Sequence, residues 1–253
     1  MTHANRFLTS ETLLPSAELA AWELHQVRIC ACTRCPRLEE WGESLRQNSI
    51  AMPRLAEYWG RPLPGFGDPH ARLLIVGLAP SALGSFRTGR MFTGDPCGQF
   101  LFAALHRAGF ANHAGSYGFG DALILRDAFV TGVGRCPAPH NRPEAAELDA
   151  CQVFLERELE LLTRVEGVVA MGQVAHRRLL TIMARRGASH ASGPFVHGGL
   201  RRLGEGFPWL LSSYHPSRQN TQTGRLTAAM FDEIWATARG LLAETRVAEG
   251  AAA

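Results

Sequence analysis

Four short apolar runs, Arg72–Gly77, Ala128–Val133, Gly167–Met171 and Trp209–Ser213, alternate with helical patterns, and this alternation limits the possible folds more than any other feature. Each run is short, bounded by turn residues and without polar alternation, as expected of a strand buried on both faces. The helical patterns cover Gly98–Ala108, Pro143–Thr163, Gln173–Arg186 and Thr227–Leu242, with Pro143 well placed near a helix start. Strands alternating with helices predict an α/β fold whose four-stranded, mainly parallel sheet is covered on both faces. Right-handed crossovers then bring every post-strand loop to one edge, where such folds hold their sites. No repeat, linker or shift of composition divides the 253 residues, so one domain is expected, with residues 1–15 a loose lead-in and Val247–Ala253 a frayed tail.

Hydrophobic residues make up 46% and charged residues 19%, an ordinary globular composition. No apolar run is long enough to span a bilayer, and Met1–Ser10 lacks the apolar stretch of a secretory signal, so a cytoplasmic protein is expected. The net charge of +3 says little about nucleic acid. All 26 basic residues are Arg, which GC-rich codon usage explains well enough. One chemical consequence survives that explanation: no side-chain amine exists to form a Schiff base.

Four of the six cysteines, Cys32, Cys35, Cys136 and Cys151, form a close pair and, about a hundred residues later, a looser pair. Four soft sulfur ligands suit tetrahedral zinc or an iron–sulfur cluster, and a cage closed over that distance ties the N-terminal segment to the middle of the fold.

The post-strand loops carry the remaining chemistry. After the first run, Gly77-Leu78-Ala79-Pro80 opens a long glycine-rich loop that permits close backbone approach but lacks the Gly-Lys-Ser/Thr end of a P-loop. Phe92 is placed there to stack on a planar ligand. Asp95 reads first as the cap of the next helix, with a catalytic carboxylate as the competing reading. After the second run, Pro137, Pro139 and Pro143 stiffen the segment holding Asn141. Local sequence favours Asn141 as a helix cap displaced by one residue; its alternative is an amide that serves a ligand or water. After the fourth run, His215 precedes Pro216 and can donate to developing negative charge or merely hold its loop. Arg218, Gln219, Asn220, Gln222 and Arg225 offer donors to phosphates and base edges, or form an ordinary solvated loop.

Together these segments resemble the family 5, or B-type, uracil-DNA glycosylases. The matching pieces are Cys32-x-x-Cys35-Pro36-Arg37-Leu38, Pro64-Gly65-Phe66-Gly67-Asp68, Gly77-Leu78-Ala79-Pro80, Arg87 through Asp95, Arg135-Cys136-x-x-Pro139-x-Asn141-x-Pro143, and Tyr214 through Thr221. They span roughly residues 30 to 244 in order and spacing. The resemblance implies a three-layer αβα sandwich with a [4Fe–4S] cluster on Cys32, Cys35, Cys136 and Cys151. It implies hydrolysis of the N-glycosidic bond of a deaminated base by a monomer acting on DNA. Asp95 and Asn141 would then position or activate water, and His215 would support departure of the base. Gly77, Ala79 and Phe92 would form the base site, with Phe92 stacked on the flipped base. Ser217, Arg218, Gln219, Asn220 and Gln222 would enter the duplex near the vacated position. Cys30 and Cys97 match no ligand role. The better-known glycosylases carry a polar residue where this chain reads Leu78-Ala79, so Asp95 inherits the work and discrimination against hypoxanthine or xanthine is relaxed. Without Lys, the reaction is expected to stop at an abasic site. The rival readings are a family 4 enzyme, whose Gly-Glu-Ala-Pro-Gly is broken here at Leu78 and Ser81, and a zinc-stabilised nucleic-acid-binding module without catalysis.

Overall fold

The computed structural model describes residues 7–9, 14–50 and 58–251. Six strands, β1 (Phe66–Gly67), β2 (Leu73–Gly77), β3 (Ala128–Gly132), β4 (Gly167–Met171), β5 (Leu200–Arg202) and β6 (Trp209–Ser213), form one sheet in the order β1-β3-β2-β4-β6-β5. The four apolar runs are its inner strands, mutually parallel and buried along their whole length. The sheet is wider than those runs predict, because β1 and β5 add antiparallel edges. Neither edge leaves an apolar signature: β1 has two residues, and β5 is Leu-Arg-Arg on the solvent side of the fold.

The helices are α1 (Ser16–Cys30), α2 (Pro36–Ile50), α3 (Ser85–Thr88), α4 (Pro96–Arg107), α5 (Ala145–Leu161), α6 (Gln173–Arg185), α7 (Arg218–Gln222) and α8 (Ala228–Ala251). Successive strand residues point to opposite faces. Leu73 and Ile75 therefore join Phe102, Phe231 and Trp235 of α4 and α8, while Leu74 and Val76 join Trp22, Leu155 and Leu179 of α1, α5 and α6. Two dry faces favour strands that are nearly all apolar, Thr131, Ser212 and Ser213 being the polar exceptions, which is why the inner four were legible. No helix among the described residues is long and apolar enough to cross a membrane.

Parts of the two expected loose ends fall on described residues. Phe7 is buried, and Gly67 N–H donates to the Phe7 carbonyl at 2.9 Å while Thr9 N–H donates to that of Gly67 at 2.8 Å, extending the sheet edge. The rest of the expected lead-in that falls on residues 1–6 and 10–13 lies outside the described residues. At the other end α8 continues through Val247 to Ala251, and only Ala252 and Ala253 of the expected tail lie outside them.

The chain leaves β2 toward β3 on one side and leaves β4 toward β6 on the other. That divergence opens a crevice at the carboxyl ends of β2 and β4, the place where open α/β sheets bind ligands.

Candidate active site

Phe92 occupies this crevice because its surroundings leave little alternative. A Cβ on Gly77, the last residue of β2, would stand 2.4 Å from the Phe92 ring, and one on Gly98 would fall 1.6 Å from the Phe92 carbonyl oxygen. Phe92 has φ 54°, a left-handed conformation that a bulky residue seldom adopts. The loop carrying it is pinned by buried Arg90. This guanidinium pairs with both oxygens of Asp121, donates to Ser116 Oγ at 2.8 Å and to Thr93 Oγ1 at 3.1 Å, and lies 4.8 Å from the Phe66 ring centroid.

Asp95 is the cap that local sequence suggests, and one of its oxygens does that work. Oδ1 accepts from Gly98 N–H at 2.9 Å at the start of α4. Oδ2 accepts from the Ser81 hydroxyl, and Ser81 Oγ in turn accepts from Ser85 N–H at 3.1 Å. Ser81 was visible in sequence only as a departure from the family 4 motif, and its bond to Asp95 had no signal there.

His215 reaches the same crevice from the end of β6, its ring 5.7 Å from that of Phe92 and tilted by 32°. Gly172, just past β4, lies beneath it, and the Gly172 N–H donates to the Ser213 carbonyl at 2.8 Å. Burial pushes His215 down from 6.5 to about 4, against the opposite pull of the Asp95 carboxylate. The imidazole is therefore neutral at physiological pH. Below 6.5 the unfolded chain takes up a proton that the folded site refuses, so this residue weakens folding as pH falls from 6.5 toward about 4. Ring NMR of His215 is expected to show titration near pH 4; a midpoint at an ordinary histidine value would contradict this burial.

The loop after His215 folds into α7 instead of remaining open. Ser217 caps it, accepting from Asn220 N–H at 3.3 Å, and Asn220 Nδ2 donates to the His215 carbonyl at 2.8 Å. Ser217 and Asn220 thus shape the loop, whereas Arg218, Gln219 and Gln222 are exposed.

Asn141 is not a helix cap. Glu144 caps α5 in a capping box with Glu147, whose Oε2 accepts from Glu144 N–H at 2.7 Å. Pro143 lies outside the helix, and the chain before it makes a tight turn with His140 and Asn141 both left-handed, at φ 54° and 55°. The Asn141 side chain is exposed, and among the described residues no hydrogen bond joins it to Asp95 or His215. Its loop is nevertheless tied to the Phe92 loop, since Gly134 N–H donates to the Leu78 carbonyl at 2.7 Å. Ala79 is half-buried beside that junction, and a Cβ on Gly134 would stand 3.2 Å from its own.

Cys32, Cys35, Cys136 and Cys151 line one cavity of about 1150 Å³ between α1, α2 and α5, which Asp95, Phe92 and His215 do not line. The four thiols lie within each other's electrostatic reach. Burial raises Cys136 well above the ordinary thiol range, and Cys151, Cys32 and Cys35 raise it further; burial also raises Cys151 to about 11. Mutual repulsion of this kind is what a cationic centre relieves, so the donor set fits a thiolate-held metal. Among the described residues no three His, Cys, Asp or Glu side chains are already closed into a metal-holding group. Cys30 also lines the cavity, whereas Cys97 lies beside Asp95 and Arg218; burial raises both to about 11.

Behind Cys136 stands a buried network that sequence gave no means of finding. Arg135 Nη1 and Nη2 donate to Glu158 Oε1 at 2.9 Å and Oε2 at 2.7 Å, and Thr131 Oγ1 donates to Oε2 at 2.7 Å. Gly65 N–H adds a bond to Oε1 at 3.2 Å, and His25 Nε2 stands 3.9 Å from the same oxygen.

Comparison with known proteins finds relatives along most of this chain. The sequence profile of the Uracil DNA glycosylase superfamily matches residues 64–239. The chain is 47% identical over 213 residues to a type-5 uracil-DNA glycosylase of Thermus thermophilus, covering 84% of this chain and 94% of that protein. It is 44% identical over 216 residues to the Mycobacterium leprae protein of the same description, covering 85% and 93%. A type-4 uracil-DNA glycosylase of Pyrobaculum aerophilum matches at 32% over 165 residues, 65% of this chain and 66% of that protein. The chain belongs to the uracil-DNA glycosylase superfamily and, within it, to the type-5 uracil-DNA glycosylases.

Proposed function

We propose that this chain is a monofunctional DNA glycosylase that flips uracil out of DNA and hydrolyses its N-glycosidic bond, leaving an abasic site for base excision repair. The observation that carries this reading is the meeting of Phe92 and His215 rings, 5.7 Å apart, beside the Asp95 carboxylate in the crevice. A base inside a duplex is unreachable, and extruding it costs a few kcal/mol, least where pairing is already poor. Phe92 receives the flipped base on its ring face. As the bond breaks, the electron pair leaves with uracil and positive charge develops on the sugar. Asp95 stabilises that charge and orients the water that attacks the sugar, with the Asn141 amide holding the same water. Neutral His215 donates a hydrogen bond to the uracil oxygen as it becomes anionic, which places a donor where charge appears only in the transition state.

Arg218, Gln219 and Gln222 face the DNA, with Ser217 and Asn220 fixing the turn that presents them. The half-buried, apolar Leu78-Ala79 floor beside Gly77 supports tolerance of hypoxanthine and xanthine alongside uracil. The enzyme works as a monomer in the cytoplasm, at the nucleoid. Cys32, Cys35, Cys136 and Cys151 hold a [4Fe–4S] cluster. When bound, it supplies a rigid tie between the start of α2 and the loop presenting Asn141, and no chemical step passes through it.

Incubation with uracil-containing duplex followed by alkali is the decisive assay. Strand cleavage after alkali is expected, with none before it, because the chain has no lysine to form a Schiff base. A duplex intact after alkali at high enzyme concentration ends the glycosylase reading. The cluster has its own readout: brown protein with broad visible absorption, iron and inorganic sulfide is expected, and Cys136→Ala bleaches it. Colourless, zinc-loaded protein would contradict it.

A further inference from the structure

Tyr214, the residue before His215, is held on several sides by groups to which the reaction assigns no role. Its ring stacks on the His197 imidazole at 4.8 Å and 5°, and the Arg225 guanidinium lies 4.6 Å from its centroid. Its backbone has left the sheet ladder at Ser213, so its polar groups need other partners. Tyr214 N–H donates to His197 Nδ1 at 3.0 Å, and the Tyr214 carbonyl accepts from Ser213 Oγ at 2.9 Å.

His197 is itself firmly placed. It sits in the turn before β5, where Gly199 N–H donates to the Val196 carbonyl at 3.0 Å and Gly198 N–H to the Ser212 carbonyl at 2.8 Å. The Tyr214 N–H is a donor, so Nδ1 must be the accepting nitrogen and the ring proton resides on Nε2. The backbone of Met230, on α8, provides that proton's partner. Burial lowers the ring's proton affinity, with Glu233 and the Met230 bond acting the other way.

We propose that His197 is a positioning residue for excision, fixing through the Tyr214 N–H the end of β6 from which His215 follows. The inference rests on the reading that His215 supports departure of the base. A donor that must meet an oxygen only as charge develops there is sensitive to small displacements of its backbone. His197 acts on that placement through its bond to the Tyr214 N–H.

The test is single-turnover release of uracil from duplex by the full chain, with duplex affinity measured separately. His197→Phe keeps a ring against Tyr214 and removes the acceptor; His197→Asn keeps an acceptor near the place of Nδ1 and gives up the stack. His197→Phe is expected to release uracil about tenfold more slowly, the effect of one lost neutral hydrogen bond, with duplex affinity unchanged. His197→Asn is expected to work at nearly the wild-type rate. Equal rates for His197→Phe and wild type overturn the proposal. So does a parallel loss of rate and affinity in both variants, which marks the turn as merely structural. If His197→Phe does not fold, His197→Ala against His197→Asn reads the same acceptor. Wild-type protein that releases no uracil defeats the glycosylase reading itself, which separates that failure from failure of His197 alone.

Discussion

Asp95→Asn is expected to slow uracil release by about 10²–10⁴-fold, the usual contribution of a positioned acid–base group, while the melting temperature and duplex affinity stay where they were. The amide keeps the shape of the carboxylate. Its oxygen still accepts from Gly98 N–H, and its nitrogen meets Ser81 Oγ, which has a lone pair to spare after accepting from Ser85 N–H. Only the charge is lost, and with it the stabilisation of a cationic sugar. Asp95→Ala removes the cap as well, at about 1 kcal/mol, so that variant loses rate and stability together. The contrast separates the two duties of one side chain. Wild-type turnover by Asp95→Asn would leave Asp95 a cap and nothing more.

Glu158→Gln is expected to destabilise the fold by about 3–5 kcal/mol, the cost of leaving a buried charge without its partner, or roughly 2–4 °C of melting temperature per kcal/mol at this size. Arg135 is 1% exposed and Glu158 fully buried, so no water replaces the lost carboxylate charge. Replacing both, as Arg135→Met with Glu158→Leu, is expected to recover only part of the loss, because it removes the unpaired charge but leaves the Thr131 hydroxyl and the Gly65 N–H without their acceptor. The pH dependence has a definite sign. Burial pushes Glu158 up, but Arg135 and His25 outweigh it and hold the carboxyl at about 2, below its ordinary 4.5, so its contribution is complete above 4.5 and disappears as pH falls through about 2. A Glu158→Gln protein that melts with wild type would show that Arg135 is satisfied without the carboxylate.

The sequence displayed whatever depends on a buried repeat and concealed whatever depends on a single long-range contact. β4 and β6 match their runs residue for residue, because strands buried on both faces are mostly apolar and short, with Ser212 and Ser213 the only polar positions of the two. α1 was not foreseen, although Trp22 and Ile29 on its inner side are buried. Asn141 looked like a cap because capping follows local spacing, yet Glu144 with Glu147 makes the better box three residues later. Asp95, Phe92 and His215 were suggested by their places after strands. Ser81 and His197 were not, since each meets its partner through a loop crossing that no spacing encodes. Glu158 looked like any polar residue of an amphipathic helix, and only the packing of β3 beside it reveals a buried ion pair.

Phe92, His140 and Asn141 share a backbone conformation that glycine adopts freely and that costs other residues about 1–3 kcal/mol each. At Phe92 that strain is outweighed by burial of the ring in the core, so Phe92→Gly is a loss, whereas Asn141 is exposed and Asn141→Gly is an easy gain for a laboratory selection rewarding nothing but survival at high temperature. The durable protein that emerged would have surrendered the amide proposed to hold the attacking water. For this enzyme, heat resistance has to be sought elsewhere in the molecule.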